Sequence, residues 1–252
     1  MKLALLQLRM TKLVSALSSP LLRRALVKHR VLGATEHLAV LSRRFGCLVD
    51  VGANKGQFSL AFRRANPSAP IFAFEPLPTA AAVYRNVFGA DPGVRLFELA
   101  LGPAETAATL HVSGRDDSSS LLPIGSLQMA VFPGTEEVAT STVRVARLAS
   151  LLGYEQLAAP ALLKIDVQGF ELEVLRGSDE LLDRFSVVYC ECSFIPLYES
   201  QALAHQVIAY LARRGFALSG FCNPAFAPDG STIQADFVFE RAAAGNAGLP
   251  AA

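Results

Sequence analysis

Several features are missing from this 252-residue chain, and each absence removes a class of function. There is no excess of charge: the net value of +1 gives no whole-chain case for binding nucleic acid. No stretch reaches the roughly 18 uninterrupted apolar residues that a membrane span requires. The four cysteines, Cys47, Cys190, Cys192 and Cys222, never adopt the paired C-x-x-C spacing of a zinc site. Cys190 and Cys192 alternate within an apolar run, so they share one strand face and read as buried free thiols, which suits a reducing, cytoplasmic setting. Two glycine patterns are absent as well. A dinucleotide fingerprint started at Gly52 would place glycines at 54 and 57, where the chain has Asn54 and Gln57. A phosphate loop needs Gly-Lys-Ser/Thr, and Lys55-Gly56-Gln57 does not supply it.

What is present is a strand–loop–helix unit. Leu48-Val49-Asp50-Val51 is a short apolar run carrying an acid, Gly52-Ala53-Asn54-Lys55-Gly56 is a turn, and an amphipathic segment starts at Gln57. A second apolar run, Ile71-Phe72-Ala73-Phe74, also ends in an acid. Glu75 lies 19 residues past Gly56, about the ~20-residue offset at which a carboxylate reaches the ribose hydroxyls of an adenosine cofactor. Asp50 would repel a pyrophosphate but suits a ligand with a cationic end, such as the amino-acid portion of S-adenosylmethionine. Gly52 and Gly56 would let main chain approach that ligand, and N–H groups at the helix start would meet its carboxylate. On this reading a side chain at Gly52 abolishes binding and leaves the secondary structure intact. The plainer alternative is a strand–turn–helix whose glycines serve only the turn.

With 52% hydrophobic residues the chain can bury the core of one α/β domain plus an extension. Residues 1–35 hold seven basic residues and no acid, leaving a net −6 for the remainder. Residues 1–44 therefore read as a basic, leucine-rich amphipathic helical arm, divided into two helices at Ser18-Ser19-Pro20. A packed extension, serving as lid or dimer arm, is favoured over a membrane-surface helix or a mitochondrial-type presequence. From 45 to 241, strands and helices alternate. Strands are expected at 47–51, 70–74, 94–99, 161–166, 186–191, 216–219 and 235–240, with helices at 57–66, 77–88, from 170, and 201–214. That rhythm predicts a mainly parallel sheet covered by helices on both faces. Asp50, Glu75, Asp166 and Glu191 fall at carboxyl ends of strands, where such sheets bind ligands. Between 101 and 160 the rhythm breaks into a strand excursion at 106–112 and 142–146, with a mobile Ser-, Gly- and Pro-rich loop between them. Residues 242–252 read as a frayed tail.

Three blocks, Val49-Asp50-Val51-Gly52-Ala53-Asn54-Lys55-Gly56, Phe74-Glu75-Pro76 and Lys164-Ile165-Asp166-Val167-Gln168-Gly169-Phe170-Glu171, resemble the FkbM family of S-adenosylmethionine-dependent methyltransferases. Ala100-Leu101-Gly102 and Ser118-Ser119-Ser120-Leu121 add weaker likeness. The resemblance covers about 45–240. It implies a class I (Rossmann-like) sheet of seven strands with the last antiparallel, and O-methylation of a hydroxyl on a sugar, lipid or secondary metabolite. By it, Asp50, Gly52, Asn54 and Gly56 line the methionine portion, Glu75 binds the ribose and Ala100 and Leu101 border the adenine. Asp166 would face the reaction centre. The family usually has D-x-E-G where this chain has Gln168, which weakens any metal or base role at that position; no metal ligands are assigned, and a metal requirement stays open.

Methyl transfer needs in-line alignment and a group to remove the hydroxyl proton. The candidate bases are Asp166, Glu191 and His111, with Asp166 first and binding of the cofactor's amino group its equal alternative. A small-molecule or glycan acceptor is expected, with a homodimer and peripheral membrane contact through 1–35 left open. Two rivals remain: a nicotinamide-dependent oxidoreductase, disfavoured by the missing glycines, and a non-catalytic binding module.

Overall fold

The computed structural model of the chain describes residues 19–227 and 229–242. The strands are β1 (Cys47–Val51), β2 (Ile71–Phe74), β3 (Val94–Phe97), β4 (Ala100–Leu101), β5 (Thr106–Ser113), β6 (Glu137–Ala146), β7 (Ala161–Ile165), β8 (Phe185–Ser193), β9 (Phe216–Phe226) and β10 (Thr232–Arg241). The helices are α1 (Pro20–His29), α2 (Leu38–Leu41), α3 (Gln57–Ala65), α4 (Pro78–Phe88), α5 (Ser126–Val131), α6 (Glu171–Gly177) and α7 (Ala204–Ala212).

Seven strands form one sheet in the order β3-β2-β1-β7-β8-β10-β9. β1 pairs in parallel with β2 and β7, β2 with β3, and β7 with β8. β10 runs antiparallel to both β8 and β9. The expected class I sheet with its last strand reversed is the sheet observed. Every residue of β1, β2 and β7 is buried, as a parallel sheet covered on both faces requires. Alternation divides the core in two. Val49, Val51, Leu163 and Ile165 pack into one cluster, whereas Leu48, Ala73 and Leu162 pack into the other, beneath α3 and α4. Phe58, Ala61 and Phe62 recur at helical spacing and give α3 its buried stripe. α1 packs against α3 and α4 through Leu22 and Ala25. The helix expected before Pro20 and the tail from 243 lie outside the described residues. Among the described residues, no helix is long and apolar enough to cross a membrane.

The region from 100 to 160 departs furthest from expectation. β4, β6 and β5 make a separate three-stranded sheet, in which β5 and β6 pair antiparallel and β4 joins β6 in parallel. The intervening segment is pinned to the body. His111 and Ser120 exchange backbone hydrogen bonds, Tyr198 Oη donates to the Ser118 carbonyl at 2.9 Å, and Ser120 Oγ donates to the Gln168 carbonyl at 2.6 Å. It also contains α5, six residues too short to leave a helical period in the sequence. β9 and β10 are longer than their apolar cores suggest. Gly220, Asn223 and Pro224 interrupt the strand pattern, but an edge strand with register shifts tolerates them.

Candidate active site

A cavity of 340 Å³ opens at the carboxyl ends of β1, β2 and β7, within the range of small-molecule sites. Its floor is the loop after β1. Gly52 has φ +71°, and a Cβ there would stand 1.8 Å from the Asp166 carbonyl oxygen. Glycine is needed because two chain segments touch, so substitution here attacks the fold as well as any ligand. Asn54 also has a positive φ, +47°. Its backbone N–H donates to Glu75 Oε2 at 2.8 Å, and the Leu77 N–H donates to Oε1 at 2.8 Å. Glu75 is thus a buried carboxyl on the cavity wall, held at both oxygens. Burial outweighs those two bonds and pushes its pKa up to about 7. Ala100 and Leu101 line the opposite part, together with Leu99, Leu110 and Leu121. That end is an apolar slot.

Asp50 and Gly56 do not line the cavity. Asp50 is fully buried beneath it; Ser59 Oγ donates to its Oδ2 at 2.7 Å, and Tyr84 Oη donates in turn to Ser59 Oγ at 2.9 Å. Its positive partner is internal, because Lys164 Nζ stands 3.2 Å from Oδ1. The expectation that Asp50 selects a cationic ligand is therefore corrected: Lys164 already supplies the cation. A Cβ on Gly56 (φ +91°) would lie 2.7 Å from the Phe88 ring, so this glycine seats the start of α3 on α4 rather than admitting a ligand.

Lys164 is the residue that sequence reasoning left without a role. Its ammonium also donates to the carbonyls of Gly52 (2.7 Å) and Val51 (3.2 Å), and stands 3.8 Å from Asp166 Oδ2. Burial alone would lower its pKa, but the charges of Asp50 and Asp166 outweigh that and hold it above its usual value. A lysine inside the otherwise apolar Ala161-Leu162-Leu163-Lys164-Ile165 was the available signal, since a charge in a fully buried strand must be paired.

Asp166 lies where this cavity meets a second, polar recess of 210 Å³, lined by Asp117, Phe132, Asp166, Gln168, Glu191 and Gln234. Gln168 joins the two carboxylates across the recess. Its Nε2 donates to Asp166 Oδ1 and to Glu191 Oε2, both at 2.9 Å, while its Oε1, 3.0 Å from Tyr198 Oη, shares that hydroxyl's single proton with the Ser118 carbonyl. Glu191 accepts a further bond from Gln234 Nε2 at 2.7 Å. Burial, then the like charges of Asp166, Asp236 and Glu171, push its carboxyl well above the ordinary range. Glu171 caps the turn behind Asp166, accepting from the Gly169 N–H at 2.9 Å, and burial pushes it up to about 7. His111 is elsewhere. It pairs with Glu137 at 2.6 Å on the second sheet and lines neither cavity.

A model of the methyltransferase FkbM domain matches residues 50–218. The chain belongs to the FkbM methyltransferase family. Among its relatives, 2-O-methyltransferase NoeI of Sinorhizobium fredii is 30% identical over 175 residues, 65% of this chain and 70% of the relative. Methyltransferase sdnD of Sordaria araneosa is 31% identical over 198 residues, covering 68% and 74%. The 31-O-demethyl-FK506 methyltransferase FkbM of Streptomyces tacrolimicus is 29% identical over 207 residues, covering 71% and 75%. Among solved structures, a precorrin-6y C5,15-methyltransferase of Geobacter metallireducens aligns with a TM-score of 0.46 at 13% identity, over 84% of this chain and 95% of that one.

The family match begins at residue 50, yet this FkbM-family member's cavity has a wall from before that point. Ala34, Glu36 and His37 line it, held there by the Ala34 N–H, which donates to the Gln57 carbonyl at 2.9 Å. Across the cavity rim, Lys55 Nζ and Asp116 Oδ2 form an ion pair of 2.6 Å, joining the loop after β1 to the segment after β5.

Proposed function

We propose that this FkbM-family chain transfers a methyl group from S-adenosylmethionine to a hydroxyl of a small-molecule or glycan acceptor. The observation that carries the reading is Glu75: a buried carboxyl on the wall of a 340 Å³ cavity, between a glycine-bearing loop and an apolar slot. The residues present fit the cofactor. Glu75 takes the ribose hydroxyls, Gly52 and Asn54 present main chain to the methionine portion, and Ala100 and Leu101 border the adenine. When bound, the cofactor supplies a methyl carbon made electrophilic by its sulfonium. Two of the relatives named above methylate an oxygen by their names, which supports O-methylation here.

The acceptor enters by the recess, whose amides and carboxylates suit a hydroxylated molecule and whose Phe132 offers one apolar face. Of the three candidate bases, His111 is away from the cavity, and Glu191 lines only the recess with both of its oxygens taken by the Gln168 and Gln234 amides. Asp166 remains. Gln168 fixes its Oδ1, and Oδ2, on a side chain 41% exposed, accepts the hydroxyl proton. Lys164 and Gln168 orient it and do not react.

Calorimetric titration tests the cofactor, and transfer of labelled methyl to a panel of sugars, glycolipids and phenolics tests the acceptor. Binding of S-adenosylhomocysteine and label in a hydroxylated product are expected. Binding of NADH without S-adenosylhomocysteine would overturn the reading.

A further inference from the structure

The cavity is rich in acid. Glu36, Glu75, Asp116, Asp117 and Asp166 line it, and among the described lining residues only Lys164 and His37 can carry positive charge. Asp116 is paired with Lys55 and Glu75 is raised to about 7, but the remaining acids still disfavour a ligand carboxylate unless a hydrogen-bond donor receives it. Lys164 is already engaged by the Gly52 and Val51 carbonyls and by Asp50. His37 is the remaining basic side chain in the lining.

Its setting is built from three strands that its own segment does not belong to. His37 Nδ1 stands 2.8 Å from Tyr189 Oη and 3.4 Å from Asp236 Oδ2. Tyr189 Oη donates to Asp236 Oδ2 at 2.8 Å, and Asn223 Nδ2 donates to the same oxygen at 2.7 Å. Asn223 Nδ2 also stands 3.4 Å from His37 Nδ1, so Tyr189, Asn223 and Asp236 all converge on this one ring nitrogen. Burial pushes Asp236 up, but its contact with His37 and the hydrogen bonds from Asn223 and Tyr189 bring its pKa below the ordinary value. The imidazole packs on Phe58, ring centroids 5.2 Å apart, beside the first turn of α3. Nδ1 is therefore fixed on the protein side by an anion, and Nε2 makes no hydrogen bond to the described residues.

We infer that His37 receives the carboxylate of the cofactor's methionine portion, donating Nε2–H while Tyr189, Asn223 and Asp236 hold the ring at Nδ1. The inference rests on the S-adenosylmethionine reading above and assigns a positioning role to a residue that lies, like Asp236, outside the family-matched segment. It also gives the 34–37 segment a task beyond packing: it closes the polar end of the site.

The test compares two nucleosides, S-adenosylhomocysteine and its decarboxylated form, which keeps the ammonium and lacks only the carboxylate. Their affinities are measured by calorimetry for the wild type, His37→Gln and Asp236→Asn. Wild-type binding of S-adenosylhomocysteine checks the cofactor reading by itself. His37→Gln is expected to weaken S-adenosylhomocysteine at least about 10-fold, as loss of a charge-assisted hydrogen bond does, and to leave the decarboxylated form within about twofold. Asp236→Asn keeps the hydrogen-bond shape and removes the negative charge beside Nδ1, so a smaller loss confined to S-adenosylhomocysteine is expected. Equal losses for both nucleosides in both variants would reduce His37 to packing. Unchanged affinities with slower turnover would make it a proton acceptor for the methyl acceptor. Either result overturns the assignment.

Discussion

Replacing Lys164 by methionine should be among the most damaging single changes in this protein, although no ligand need touch that side chain. The substitution keeps length and apolar volume but removes the ammonium that stands 3.2 Å from Asp50 Oδ1 and bonds the Gly52 and Val51 carbonyls. Asp50 is fully buried, so its carboxylate is left with the Ser59 hydroxyl and no countercharge. Removing one partner of a buried pair typically costs about 3–5 kcal/mol, a large share of the roughly 5–15 kcal/mol that keeps a domain folded. For a chain of this size that is a fall of about 6–20 °C in Tm. Urea unfolding followed by circular dichroism measures it directly. The control is the double variant Lys164→Met with Asp50→Asn, in which the uncompensated charge is gone and the introduced amide oxygen can still accept from Ser59. It should recover at least half of the loss, because most of the cost is the stranded anion rather than the missing attraction. A single variant within about 1 kcal/mol of wild type, or a double variant no more stable than the single one, would refute the internal ion pair.

Glu75→Gln retains the size of the side chain and one oxygen for the loop N–H groups; it should weaken S-adenosylhomocysteine by about 1.5–3 kcal/mol, and wild-type affinity in a folded variant would remove Glu75 from the ribose site. Gly52→Ala places a Cβ 1.8 Å from the Asp166 carbonyl at a positive φ, so thermal melting should show lost stability even without ligand, and an unchanged Tm would mean the two segments can separate freely. Glu75 and Glu171 are both raised from 4.5 to about 7, so the folded state holds protons that the unfolded chain has released between those values. Their contribution is full below pH 4.5 and is lost as the pH rises through about 7; the urea midpoint should fall across that window, less steeply in Glu171→Gln, and a parallel profile would show that Glu171 titrates normally. Asp166→Asn should fold normally and lower turnover by roughly 10²–10⁴-fold, whereas near-native turnover would leave Asp166 as a cofactor or helix-capping group.

What was legible in the sequence was whatever is encoded over short distances. Glycine spacing, the strand ending at Glu75 and the alternation of apolar runs each describe a few consecutive residues, and the sheet order follows from them with little freedom. The three antiparallel or crossed strands between 100 and 146 obey no such rule, so their pairing into a second sheet does not follow from the pattern of residues. Asp50 shows the limit most clearly. The sequence marks it as an acid at the end of a buried strand, but its countercharge comes from Lys164, 114 residues later, through the register of β1 with β7. An unpaired-looking carboxylate in a motif invites a cationic ligand as its explanation; a lysine in an apolar strand invites none. Only the pairing of the two strands shows that each charge answers the other. His37 follows the same logic with the opposite outcome. The arm that carries it reads as a packed extension, while Tyr189, Asn223 and Asp236, carried there by β8, β9 and β10, hold one ring nitrogen of a residue that lines the cavity. In both places the chemistry of a side chain is decided by which distant strand its neighbours arrive on, and so the site's charges have to be matched within the protein before any is assigned to a ligand.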